Sequence, residues 1–533
     1  MQRRAPCSAV QTSETEGTVS RDDELNELKR RTEFARRMGG PEKIQRHRDN
    51  GRLPVRERID ALVDDGSFVE VGALAGSGRY DDHGRLVDFI PSNLVFGRAT
   101  IEQRPAVVVG DDFTVRGGAS DGAVGDKMIV AEKMAHDLRI PIVRLVDGTG
   151  GGGSVKTIEQ KGYTLLPKVR VWPDVTRNLA TVPVVALGLG SVAGLGAARV
   201  AASHYSVMVK DTSQLFVAGP PVVERTGQMI GKNELGGSQI HTRNGVVDDE
   251  AASEVEAFQR TRRFLSYLPP SVFALPPRSD SGRAHAGDVA RLRTAIPENP
   301  RAVYKIRAIV EALVDAGSFF EIGRHWGKAS ATGFARIDGW PVLVVASDPY
   351  HYGGAWDRQT SEKVNRMVDL AQLFHLPVVH LVDIPGFRIG LDAEVEGVMR
   401  AGVRALTAIS QTTMPWCTVI IRKAFGVAGA AHQHPDRFSF RYAWPSAVWG
   451  SLPIEGGLEV AYKAEIEAAA DPEAQRQTIE QRVRALCSPY RSAEAFVVED
   501  IIDPADTRTR LVEFANLAAP LRVAGPTAFG YRP

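Results

Sequence analysis

The sequence is short of cysteine, of net charge and of the side-chain motifs by which many enzymes are recognised. Its 533 residues hold three cysteines, Cys7, Cys417 and Cys487, and no two lie close together. That excludes a four-cysteine zinc ribbon and a disulfide framework, and fits a reducing cytoplasm. With 65 Lys and Arg against 64 Asp and Glu, the formal net charge is +1, so no basic field exists to bind nucleic acid. There is no G-x-S-x-G elbow, no H-E-x-x-H and no P-loop. His432 and His434 form a His-x-His, but the pair lacks a full ligand set, and no metal is expected. VDGTGGGGS (146–154) follows a strand pattern yet lacks the G-x-G-x-x-G spacing of a dinucleotide loop.

No membrane segment is expected either. The opening MQRRAPCSAVQTSETEGTVS is polar, so residues 1–20 read as a frayed tail rather than a signal peptide. From Arg21 the charged run RDDELNELKRRTEFARRMGG reads as a helix stopped by Gly-Gly. Leu179 to Ala198 carries no charge and has the length of a span, about 20 residues. Its β-branched VPVVALGLG reads instead as a buried strand entering a loop. The corresponding PWCTVII runs into Arg422-Lys423, which a span would not tolerate.

What the chain does have is a repeat. ALVDDGSFVEVG (61–72) returns as ALVDAGSFFEIG (312–323), with nine of twelve letters identical. An offset of 236 aligns 97–150 with 333–386 without a gap: RPAVVVGDD meets WPVLVVASD, Gly117-Gly118 meets Gly353-Gly354, and Lys127 meets Lys363. At an offset of 232 Pro183 meets Pro415, and Gly194-Leu195-Gly196 meets Gly426-Val427-Ala428. A single doubling of this length implies two copies of one domain. The division expected is a tail at 1–20, a first domain at 21–270, a linker at 271–290 rich in Pro, Ser and Gly, and a second domain at 291–533. Short Val/Ile strands alternating with helical stretches make each copy α/β. With 43% apolar and 24% charged residues the composition is that of a soluble globular protein.

Backbone, rather than side chains, is the chemistry on offer. Gly/Ala loops after buried strands let main-chain N–H groups approach a ligand closely. Two such groups aimed at one oxygen form an oxyanion hole, and two domain copies would supply two holes. The alternative, that small residues merely let a helix pack on a strand, stays open at this point.

GRLPVRERIDALVDDGSFVE, DDFTVRGGAS, MVKDTSQLFVAGPPVV, ELGGSQIHTRNGVVD, HLVDIPGF, IIRKAFG, YAWPSA and EDIIDPADTR occur in that order between Arg52 and Arg510. This series resembles the carboxyltransferase (β) subunit of biotin-dependent acyl-CoA carboxylases, such as propionyl-CoA and methylcrotonyl-CoA carboxylase. The resemblance implies an α/β fold of two tandem crotonase-like spiral domains and a hexamer built as a trimer of dimers. The active site would lie between the N-domain of one subunit and the C-domain of another. It implies that Gly194 and Leu195 hold the acyl-CoA thioester carbonyl, and Gly426, Val427 and Ala428 the ureido oxygen of carboxybiotin. Gly117, Gly118, Gly150, Gly151, Gly429 and Ala430 fall on the acyl-CoA side; Gly353, Gly354, Gly386 and Phe387 fall on the biotin side. Biotin would ride on a partner α-subunit with carboxylase and carrier domains, because no A/V-M-K-M motif or ATP-grasp segment is present.

The departures bear on the substrate. The propionyl-type pattern Ala-Gly-Gly-Ala is Ala193-Gly194-Leu195-Gly196 here, and Gly-Gly-Ala-Tyr-Asp is Gly426-Val427-Ala428-Gly429-Ala430. Leu195 and Val427 still have N–H donors, so both holes can survive provided their side chains point away from the ligand. Replacement of Tyr-Asp by Gly429-Ala430 predicts a roomier acyl pocket, and GTGGGGSVKTIEQ (148–160) loses the arginine of the family run SGGARIQEG. Arg36, Arg37 and Arg56 are candidates for the CoA phosphates, or simply solvated surface. A biotin-dependent decarboxylase, a crotonase-like hydratase or isomerase, and a catalytically degenerate scaffold are the competing readings.

Overall fold

A computed structural model describes residues 21–119, 124–148, 158–159, 161–164, 166, 168–279, 287–432 and 437–533. Helix α1 (Val55–Leu62) leads through Gly66, at φ 67°, into the first sheet. There β1 (Val69–Glu70), β2 (Leu94–Ile101) and β3 (Arg104–Asp111) pair antiparallel. After helix α2 (Gly125–Leu138), the strands β4 (Ile142–Val146), β5 (Val184–Gly188), β6 (Tyr205–Val209) and β7 (Asp249–Ala251) extend the sheet in parallel. Helix α3 (Leu195–Ala201) lies between β5 and β6, and α4 (Glu254–Ser266) closes the unit.

The second half repeats this plan. Helix α5 (Ile306–Leu313) passes through Gly317, at φ 65°, into β8 (Phe320–Ile322). β8, β9 (Ser330–Ile337) and β10 (Trp340–Ser347) are antiparallel. Helix α6 (Arg358–Leu373) then crosses to the parallel β11 (Val378–Ile384). Helix α7 (Val398–Gln411), β12 (Trp416–Phe425), the short α8 (Gly426–Gly429) and β13 (Ser439–Ala443) follow. β14 (Val448–Gly450) pairs the far end of β12, and β15 (Asp500–Ile501) pairs β13.

The repeat is conformational as well as sequential. β2 and β3 fall on β9 and β10 at the 236 offset, and the start of β4 falls on that of β11. The start of β5 falls on that of β12 at 232. The β2–β3 turn puts Glu102 and Gln103 at φ 49° and 65°, and the β9–β10 turn puts Asp338 and Gly339 at 51° and 80°. Left-handed values at both central positions suit the right-handed twist of the strands they join. All of β4, β5 and β6 is buried, as expected of parallel strands covered on both faces. The apolar run Leu179–Ala198 is thus a helix end, two strands and a helix start, and no helix among the described residues is long and apolar enough to cross a membrane.

The halves share one core. Tyr205 stacks on Phe264 at 4.7 Å and meets Phe320 edge-on at 5.4 Å, while Phe264 and Tyr267 reach Phe334 at 5.7 and 5.8 Å. Arg366 of α6 donates to the Asp248 carboxylate at 3.0 Å and to the Ser203 carbonyl at 3.2 Å. Tyr531 returns to pack on His204, with ring centroids 4.7 Å apart.

Lys127 on α2 and Lys363 on α6 are buried at matching positions, and desolvation pulls each ammonium down to about 8. Each folded value lies below the unfolded one, so the unfolded chain binds more protons from about pH 8 to about pH 10. Stability should therefore rise with pH across that window. Urea midpoints at pH 8 and 10 should show the rise in the wild type and its loss in K127M/K363M.

Candidate active site

Gly426 directly follows the buried β12, whereas Gly194 follows a short strand beyond β5, Ser191–Ala193, that pairs in parallel with Gln214–Phe216. Gly194 sits at φ 58°, ψ −122°, a conformation an L-residue adopts only under strain. Gly426, its counterpart, has φ 62°. In each case the reversed backbone feeds a helical turn whose first N–H groups have no intrahelical acceptor. The Gly194 N–H itself donates to the Phe216 carbonyl at 3.2 Å. Donor capacity in the first half therefore passes from Gly194 to Leu195 and Gly196, which open α3 and, among the described residues, make no backbone bond outside it. At the 232 offset Val427 and Ala428 are their counterparts, as the second and third residues of α8, which opens at Gly426 itself.

Leu195 does not turn away from this surface. With Val169, Trp172, Pro173, Thr176, Gly194 and Ala198 it lines an open, mainly apolar groove of ≈ 870 Å³. Among the described residues, no carboxylate or histidine lines that groove. Val427 is likewise exposed, while Ala428 and Gly429 are buried. A Cβ on Gly429 would meet the Ala424 backbone at 2.5 Å, so Gly429 is fixed by packing, and Ala430 stays exposed with its N–H bonded to the Gly426 carbonyl.

The paired glycines elsewhere divide into two kinds. A Cβ on Gly118 would lie 2.5 Å from the Asp147 carbonyl, and one on Gly354 would lie 2.3 Å from the Asp383 carbonyl. These two let one loop lie directly on the next strand end. Gly117 and Gly353 have positive φ, and Gly353 faces open space. Gly386, at φ 130°, accepts from the Trp356 N–H at 3.1 Å, and Phe387 packs against Trp356 and Gly402. Gly150 and Gly151 lie outside the described residues, as does His434. His432 is buried, its imidazole pulled down by desolvation to about 3, and no group of three metal-ligating side chains occurs among the described residues.

Beneath the turns lie buried charges that the letters did not single out. Arg58 binds Asp147 at 2.9 Å and Glu254 at 2.7 Å in the first half, with His47 at 3.7 Å from Asp147. Arg422 binds Asp383 at 2.8 Å in the second. The signal was the pair LVDGTG and LVDIPG, whose aspartates align, although sequence alone does not reveal that the partners come from different elements. Arg56 is held by Glu70 at 2.7 Å and Arg37 lies over the Phe34 ring at 4.3 Å, so neither is an uncommitted cation.

This arrangement places two matching turns, each reversing at a positive-φ glycine into a helical turn, in the two halves of the chain. Residues 46–527 match the family model "Carboxyl transferase domain". The propionyl-CoA carboxylase carboxyltransferase subunit of Haloferax mediterranei is 32% identical over 516 residues, covering 95% of this chain and 98% of that one. The biotin-dependent acetyl-/propionyl-coenzyme A carboxylase beta5 subunit of Mycobacterium tuberculosis is 32% identical over 500 residues, covering 91% and 90%. The hexameric transcarboxylase 12S, solved with methylmalonyl-coenzyme A and methylmalonic acid, superposes with a TM-score of 0.85 at 26% identity, over 97% of this chain and 99% of that one. The chain belongs to the carboxyl transferase family. Within it, this is an acyl-CoA carboxyltransferase with two tandem crotonase-like domains.

Gly194 has open space at its Cβ position, whereas Gly118 meets a carbonyl. G194A should cost only its backbone strain, about 1–3 kcal/mol. G118A should cost more, because strain and clash combine. Thermal unfolding of the two variants should rank them in that order.

Proposed function

We propose that this chain transfers a carboxyl group from biotin on a partner carrier subunit to the α-carbon of an acyl-CoA. Biotin supplies the carboxyl group and, once relieved of it, the base for the α-proton. The chain itself binds, orients and stabilises. The Leu195 and Gly196 N–H groups would hold the thioester carbonyl oxygen as charge develops on it, and the Val427 and Ala428 N–H groups the ureido oxygen. Each missing donor in such a hole typically costs about 3 kcal/mol of transition-state stabilisation. The observation that carries this reading is the matched pair of turns, alike in backbone and free of acid–base side chains.

The chemistry needs both turns on one substrate pair, and each half exposes large apolar side chains. Val217, Val222 and Met229 are exposed in the first half, and Ile389, Leu391, Val395 and Val427 in the second. The reading pairs the first half of one copy with the second half of another, within a hexamer in the cytoplasm. Domain limits near 21–270 and 291–533, joined by 271–290, belong to the same proposal, as do acyl-CoA contacts at Gly117, Gly118, Gly150, Gly151, Gly429 and Ala430. Carrier contacts fall at Gly353, Gly354, Gly386 and Phe387.

The groove beside Gly194 favours an acyl group larger than propionyl. Reconstitution with a biotin carboxylase/carrier α-subunit, ATP, bicarbonate and acyl-CoAs from acetyl to long-chain should give carboxylation with kcat/KM rising beyond propionyl-CoA. L195W, which narrows the groove, should shift the preference toward short acyl groups by about tenfold or more. Carboxylation of none of the thioesters would overturn the assignment.

A further inference from the structure

Asp383 is fully buried, and four separate segments converge on it. Its Oδ2 accepts from Tyr304 Oη at 2.8 Å and from Arg422 Nε and Nη2 at 3.0 and 2.8 Å. Its Oδ1 accepts the main-chain N–H of Lys423 at 3.2 Å. Its own N–H donates to Ser347 Oγ at 3.1 Å, and Gly354 packs on its carbonyl. Through its side chain Asp383 joins the end of β12 to the segment leading into α5, and through its main chain it joins β11 to the end of β10.

The ladder between β11 and β12 is irregular at this point. Val382 pairs Ile420 and Ile384 pairs Ala424, so Asp383 alone faces Ile421, Arg422 and Lys423. A bulge re-aims the strand that carries it. Here the re-aimed strand ends at Phe425, one residue before the Gly426 turn. The Asp383 carboxylate takes the place of the missing partner strand by holding the Lys423 N–H and the Arg422 guanidinium.

The first half has the same aspartate in a different setting. The Asp147 N–H donates to Asp111 at 3.2 Å and Gly118 packs on its carbonyl. Where Arg422 stands in the second half, the 232 offset puts Gly190 in the first, and a Cβ there would lie 2.0 Å from Asp147 Oδ1. The guanidinium comes instead from Arg58 of α1, which donates to Asp147 at 2.9 Å and to the Leu189 carbonyl at 3.1 Å. Leu189 and Gly190 are the residues that lead from β5 toward the Gly194 turn.

We infer that Asp383 and Asp147 are positioning residues, each clamping the strand end that delivers one turn: Asp383 sets the Val427 and Ala428 donors and Asp147 the Leu195 and Gly196 donors. Neither touches the reacting atoms. Because the partner arginines differ in origin, the two clamps work independently, and each should affect only the substrate of its own half. That division rests on the functional reading above.

The test uses the full-length chain, wild type and the variants D383N, Y304F and D147N. Y304F removes a single hydrogen bond from the Asp383 clamp and keeps the experiment decisive if D383N folds poorly. Hydrogen exchange comes first, because it needs no activity. D383N and Y304F should speed exchange across 421–431 and leave 189–198 unchanged; D147N should do the reverse. Kinetics of the reconstituted enzyme should then split. D383N should lower kcat by about tenfold or more with the acyl-CoA KM within about twofold of wild type, while D147N raises the acyl-CoA KM. Exchange that rises equally at both turns in every variant would overturn the clamp assignment, as would equal changes in the acyl-CoA KM of D383N and D147N. An inactive wild type with the exchange pattern intact would instead overturn the functional reading and leave the clamps standing.

Discussion

A turn that must present two adjacent N–H groups at the end of a buried strand has few backbone solutions. Helical geometry supplies the unpaired donors, and a residue at positive φ reverses the chain into the helix without a loop long enough to bury them. Gly194 and Gly426 meet that requirement at φ 58° and 62°. Much of the surrounding structure serves to hold those reversals: glycines that let neighbouring loops lie flat on carbonyls, and carboxylates that tether strand ends. Buried ion pairs are costly to desolvate and contribute little net stability, but their loss on one side is severe. Such pairs suit geometry better than they suit stability.

Much of this was legible in the letters. The repeated phrase and its offsets located matching strands, and the α/β class followed from strand–helix alternation. Glycine pairs at matching positions pointed to Gly118 and Gly354, because only a missing Cβ tolerates a carbonyl at such distances. The equivalence of Gly194 and Gly426 was available from the register alone. Within the Leu179–Ala198 run, VPVVALGLG reads as a buried strand entering a loop, and Val184–Gly188 is such a strand.

Other features were hidden for physical reasons. A hydrogen bond between Gly194 and Phe216 joins residues whose separation no local pattern encodes, so the shift of donor capacity to Leu195 and Gly196 required coordinates. That Leu195 lines a groove with Trp172 and Pro173 also required coordinates, because those residues lie more than twenty positions away in the chain. Arg58 and Arg422 reach equivalent carboxylates from a helix and from a strand respectively, and a linear alignment cannot equate residues that are not homologous.

The aromatic contact between the halves carries a further consequence. Tyr205, Phe264 and Tyr267 belong to the first repeat, and Phe320 and Phe334 to the second, yet they pack as one cluster. Either repeat expressed alone would expose those rings to water, a surface prone to self-association. Duplication here has been followed by fusion of the cores, so the evolutionary unit is no longer the cooperative unit. Sequence drift in one half is therefore constrained by the packing of the other, even where their chemistries have diverged.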